Sequence, residues 1–151
     1  MKHFLLLFLA AFFFTGCTAS FGKQTFPDLG TSLPCKKNDW SCTDKGNSAE
    51  VRFDDKPGYV VIEKIEGSTS LETVYEEKKR DVYRYPGNEF ISEGEIQNGK
   101  YFVNKNTFSH NMLLRSIIER KKTLFLCSGF VAEKDFANAE ELFKEVCSLL
   151  R

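Results

Sequence analysis

Two turn sequences in the second half of the chain leave few architectures open. Asn98-Gly99 stands between the strand-like segments 89–97 and 100–104. A two-residue loop of this kind joins antiparallel neighbours, because Asn and Gly both accept the positive φ that it needs. Arg120-Lys121-Lys122 then separates 111–119 from 123–130. The arms of this second hairpin contain Met-Leu-Leu-Arg-Ser-Ile-Ile-Glu and Thr-Leu-Phe-Leu-Cys-Ser-Gly-Phe. Both are too apolar for an exposed edge and belong in the middle of a sheet.

Upstream the sheet gains two more strands. Residues 49–53 read as a short strand, ended by the turn cluster Asp54-Asp55-Lys56-Pro57-Gly58. Residues 59–65 are a β-branched run stopped by Gly67. Thr69-Ser70-Leu71-Glu72 has the form of a capping box, a Thr with Glu three residues on. Leu71, Val74, Tyr75 and Val82 then fall on one helical face. Residues 70–82 are therefore expected to form an amphipathic helix, although Leu71, Thr73 and Tyr75 also fit a strand. The charges at 76–80 make its solvated face.

The chain ends on the clearest helix. Asp135 or Asn138 caps it, and Glu140 and Glu141 sit in early turns where the helix dipole favours acids. Phe136, Phe143, Cys147 and Leu150 form one stripe, flanked by Ala139, Leu142, Val146 and Leu149. Cys147 thus faces the protein while Cys127 lies on the final strand, so a Cys127–Cys147 bridge would staple the helix to the sheet. Cys35 and Cys42 pair most simply with each other. Four cysteines allow three connectivities, and the other two stay open. The expected fold class is α+β: an antiparallel sheet covered by helices, with the C-terminal helix held to the last strand by a disulfide.

Residues 1–16 read as a signal peptide. Lys2 gives a basic start, and 4–14 carry no polar side chain. A helix of that run rises roughly 16 Å, about half the hydrocarbon thickness of a bilayer. It can enter a translocon but does not span. Phe14-Thr15-Gly16-Cys17 resembles the lipobox of bacterial lipoproteins, with Phe14 where the family usually carries Leu. The resemblance implies that Cys17 becomes the first mature residue and carries acyl chains such as palmitate. Cleavage after Ala19 is the other processing route. Either outcome resolves the odd count of five cysteines. Thr18 stands where the family's inner-membrane retention signal has Asp, so the resemblance points to an outer-membrane lipid anchor with the domain facing the periplasm. Removing Lys2 leaves the mature chain one net negative charge, so the lipid must supply the attachment.

Residues 17–48 lack either periodicity and carry Gly22, Pro27, Gly30, Pro34 and Gly46. They are expected to be a lipidated tether with a local Cys35–Cys42 loop. Trp40, inside that loop, is either presented to a partner or packed on the domain edge. Residues 49–151 form a single α+β domain. Its succession of strand, strand, helix, hairpin, hairpin, helix, with Asn98-Gly99-Lys100-Tyr101 and the strand-to-helix ending, resembles the PsbP-like α/β sandwich. Some lipoprotein immunity proteins that neutralise secreted bacterial toxins are similar in architecture, and this resemblance brings that function into view.

Chemistry is sparse. Twenty-one basic residues balance 21 acidic ones, which provides no field for a nucleic-acid backbone. After processing His110 is the sole histidine, and Ser109, Ser116 and Ser128 all lack a Gly-x-Ser-x-Gly turn. The cysteines lack a Cys-x2-Cys knuckle for zinc. Acid pairs such as Glu76-Glu77 point about 100° apart on a helix and do not converge. The reading is no enzyme, no metal and no cofactor. Arg115, Arg120, Lys121 and Lys122 are the local basic concentration. The hairpin tip that the last three form is either a solvated turn or a contact for an acidic partner, lipid headgroups or lipopolysaccharide. The expected function is an envelope lipoprotein with a non-enzymatic protein-binding domain, immunity to a periplasmic toxin being its most concrete version. The alternative is a structural or lipid-handling accessory of outer-membrane assembly, which calls for an apolar cavity between sheet and helices.

Overall fold

The computed structural model describes residues 22–35, 39–67 and 70–151. The signal peptide and Cys17 lie outside the described residues. In chain order come β1 (Gly22–Phe26), β2 (Thr31–Cys35), β3 (Trp40–Asp44), β4 (Ser48–Phe53) and β5 (Tyr59–Ile65). Helix α1 (Leu71–Val82) follows, then β6 (Asn88–Ile96), β7 (Gly99–Asn106), β8 (Asn111–Arg120) and β9 (Thr123–Ala132). A 3-10 turn, Glu133–Asp135, leads into α2 (Phe136–Ser148). Strands β3 to β9 form one sheet in the order β3-β4-β5-β9-β8-β7-β6, antiparallel throughout. The apolar arms β8 and β9 lie inside this sheet, where their composition placed them.

Alternation along each strand gives the sheet two faces, and one helix covers part of each. On one face Val51, Val60, Ile62, Leu114 and Phe125 meet Ala139, Phe143 and Val146 of α2, with Leu150 just past its end. On the other, Val74, Tyr75 and Val82 of α1 meet Phe102, Ile117 and Leu124. Both disulfides form as the sequence led us to expect: Cys35–Cys42 with Cα atoms 6.0 Å apart, and Cys127–Cys147 at 5.8 Å.

The tether expectation is corrected from residue 22 onward. β1 and β2 form a hairpin, and β3 is the edge strand of the main sheet. Phe26, Leu29 and Leu33 are buried in the α2-side core, each worth about 1.5–3 kcal/mol of transfer. Ser32 and Arg151 exchange backbone hydrogen bonds, each 3.1 Å, so the hairpin clamps the chain's end. Pro27 and Gly30 mark a tight turn here, and Pro34 is tolerated because a two-stranded hairpin leaves one side of each strand unpaired.

Two local expectations shift by a residue, and a third keeps its position without its hydrogen bond. Ser70, not Thr69, caps α1: its Oγ accepts from the Thr73 N–H at 3.1 Å, and Thr69 lies outside the described residues. Asp135 holds the N-cap position of α2 but makes no capping bond, the 3-10 turn preceding it. Ile96 pairs with Gly99, so the hairpin turns on Gln97 and Asn98, with Asn98 at φ 60. Gly99 is needed for close approach, since a Cβ there would come within 2.3 Å of the Ile117 carbonyl on β8.

Candidate functional site

Helix α1 covers only part of its face, packing on β6, β7 and β8. The strand register carries the uncovered part across the sheet in rows. One row runs Phe102, Arg115, Ser128, Val61, and the next runs Asn104, Leu113, Phe130, Tyr59, Arg52. A third brings Asn106, Asn111 and Ala132 together. From these rows Arg115, Asn104, Leu113, Phe130, Tyr59 and Asn106 line an open cleft of about 500 Å³.

Its apolar wall is an aromatic stack. Tyr59 and Phe130 lie 5.0 Å apart between ring centroids and 15° from parallel. Arg52 sits over Tyr59 at 5.3 Å while its Nε pairs with Glu50 at 2.6 Å. The polar wall is different in kind. Asn106 is fully used: its Nδ2 donates to Asn88 at 2.9 Å, and its Oδ1 accepts from the N–H groups of Phe108 and Ser109 and from the Ser109 hydroxyl. Two residues earlier, Asn104 is 1% exposed and neither Oδ1 nor Nδ2 has a partner among the described residues. Most buried amides are satisfied, so this orphan requires an explanation. Beside it Arg115 makes no ion pair among the described residues. Burial pulls its guanidinium below the usual range, opposed by the nearby charges of Asp81 and Tyr85.

The residues singled out in the sequence fall elsewhere. Trp40 is buried on β3, edge-on to Phe53 at 6.4 Å, and its Nε1 donates to the Pro34 carbonyl at 3.1 Å. It packs in the core and is not presented for contact. Arg120 turns inward to the end of α2, donating from Nε to Leu150 O at 2.6 Å and from Nη2 to Ser148 O at 3.0 Å. It answers carbonyls that a helix end leaves unpaired. Lys121 and Lys122 remain exposed at the β8–β9 turn. His110, also exposed, faces Glu133 at 3.6 Å, and among the described residues no hydrogen bond joins it to a serine hydroxyl. Nor does any group of three or more His, Cys, Asp or Glu side chains among those residues converge as a metal site.

A second polar cluster ties α1 to β6. Tyr75 Oη and Lys79 Nζ both donate to Glu93 at 2.6 Å. These hydrogen bonds hold the Glu93 carboxyl below its usual range. Burial, with the Glu93 contact, raises the Tyr75 phenol. The cluster pins the helix and leaves the cleft open.

No family model and no curated protein matches the sequence. Solved structures do match it in shape. The solution structure of cyanobacterial PsbP (CyanoP) from Synechocystis sp. PCC 6803 superposes with a TM-score of 0.57 at 18% identity, over 88% of this chain and 92% of that one. The fold is PsbP-like. A crystal structure from Bacteroides thetaiotaomicron VPI-5482 gives 0.56 at 18% identity, over 85% of this chain but 47% of its own length. The PsbP-like likeness covers more of the chain than residues 49–151 could supply, in keeping with the structured β1–β3 segment.

Proposed function

We propose that this protein is a lipid-anchored component of a bacterial envelope whose PsbP-like domain binds another protein and catalyses no reaction. The observation that carries the reading is the open part of this face, where Tyr59, Phe130 and Leu113 lie beside Arg115, which makes no ion pair among the described residues. Aromatic rings and arginine are the side chains that most often anchor protein contacts. Tyr83, Tyr85 and Phe108, all at least 66% exposed, add to the apolar surface a partner could cover. The lipobox resemblance supports the anchor on Cys17. Among the described residues no helix is long and apolar enough to cross a membrane.

Immunity to a periplasmic toxin is the specific version we propose. The lipid-handling alternative needs room between sheet and helix. Against it stands the packing of α2, where a Cβ on Gly129 would meet the Phe143 ring at 2.4 Å. The test is a native pull-down of the tagged full-length chain from its own host in mild detergent, with mass spectrometry of the partners and of the intact chain. A stoichiometric protein that is lost on Phe130→Ala, but kept when Lys121 and Lys122 are changed to Glu, is the expected result. Recovery of lipid alone refutes the reading. In the same host, deletion should sensitise cells to a sibling's toxin, and unchanged survival removes the immunity version.

A further inference from the structure

The cleft holds two polar groups with no hydrogen-bond or ion-pair partner among the described residues, and together they describe what would answer them. Arg115 offers a half-buried positive charge on the row between Phe102 and Ser128. Asn104 offers a buried amide donor on the adjacent row, beside Leu113. Phe130 and Tyr59 continue that second row as a stacked apolar pair. A planar, singly charged acceptor matches the first two groups, because a guanidinium and a neighbouring amide N–H can each take one carboxylate oxygen. A doubly charged phosphate fits less well, facing a single guanidinium with the Asp81 carboxylate close enough to influence it.

Resting on the protein-binding reading above, we propose that the cleft is the anchor pocket for an acidic side chain of the partner. An Asp or Glu carboxylate engages Arg115 and Asn104, and an adjoining aromatic or aliphatic residue lies on Phe130 and Tyr59. Charge complementarity selects this occupant: Arg115 lines the cleft and makes no ion pair among the described residues, Asp81 acting on it only as a nearby charge. The sheet face is open, so a continuous polypeptide can cross it and lower one side chain into the pocket.

The test titrates the full-length, detergent-solubilised protein with an N-acetylated, C-amidated Phe-Asp dipeptide, whose one carboxylate is the side chain. The guanidinium N–H resonance of Arg115 and the side-chain amide resonances of Asn104 are followed by NMR. Saturable shifts at both residues are expected, with the Phe-Asn dipeptide about tenfold weaker or more, as for a charge-assisted hydrogen bond lost. Arg115→Gln should bring the acidic peptide down to the level of its amide twin, and the spectrum itself reports whether that variant is folded. The comparison of the two peptides on the unaltered protein decides the matter even if it is not. Equal binding of the two peptides, or no saturable shift at Arg115, overturns the proposal. So does tighter binding of inorganic phosphate, or of a Phe-Ala dipeptide whose carboxylate is its free chain end. If the peptides fail while Phe130→Ala still loses the partner in the pull-down, protein binding stands and the acidic anchor falls.

Discussion

Replacing Asn104 with leucine should make the free protein more stable. The side chain is 1% exposed, and both of its polar atoms are unpartnered among the described residues. Its register neighbours are Phe90 on β6 and Leu113 on β8, so an apolar group of similar size finds apolar company. An amide buried without hydrogen bonds costs about 1–3 kcal/mol on scales drawn from protein mutations. The leucine also removes a residue type disfavoured in strands. Asn104→Leu is therefore expected to gain about 1–3 kcal/mol, which at roughly 2–8 °C per kcal/mol for domains of this size range is readily measured. Equilibrium urea unfolding followed by circular dichroism is the assay, with the midpoint rising and the slope unchanged. A loss of more than about 1 kcal/mol would show that the amide is satisfied in solution and that its apparent isolation signifies nothing. A gain in stability with loss of acidic-peptide binding would mark Asn104 as a residue kept for function.

Three further outcomes follow from described contacts. Lys121 and Lys122 both hold positive φ, at 49° and 65°, so Lys121→Asn with Lys122→Gly should stabilise by about 1 kcal/mol in thermal unfolding; no change would mean the turn is unstrained. Removing the Cys127–Cys147 bridge by paired alanines should cost about 3 kcal/mol by the chain-entropy estimate for its separation of 20, and urea titration checks this. Glu93 is held below its ordinary value of 4.5 in the fold, so its contribution is complete above that value and is lost as pH falls through the depressed one. Glu93→Gln should then flatten the acid limb of Tm against pH, and an unaltered limb would show the contact with Tyr75 and Lys79 to be inert.

What could be read from the sequence was local. Hairpins declare themselves through turn residues within a few positions, and α1 and α2 through their apolar stripes. Cys127 and Cys147 were placed by the faces of neighbouring elements. Residues 22–35 escaped because their strands are five residues long, interrupted by Pro and Gly, and their buried residues Phe26, Leu29 and Leu33 have no period a strand would show. The cleft escaped for a different reason. Tyr59, Arg115 and Phe130 become neighbours only through the register of three strands, which no spacing encodes. Its traces were an asparagine inside β7 and an arginine inside the apolar β8.

The early start of β1 changes how the protein would hang from its membrane. With lipid on Cys17, only residues 17–21 precede Gly22, and five residues reach at most about 18 Å even fully drawn out. The domain is then moored on a short leash rather than floated on a long one. Any pull on the mooring enters the β1–β2 hairpin, which Cys35–Cys42 joins to the sheet edge and Ser32 joins to Arg151. A molecule moored in that way would meet the partner proposed for it in the plane of the bilayer, within a layer little deeper than itself.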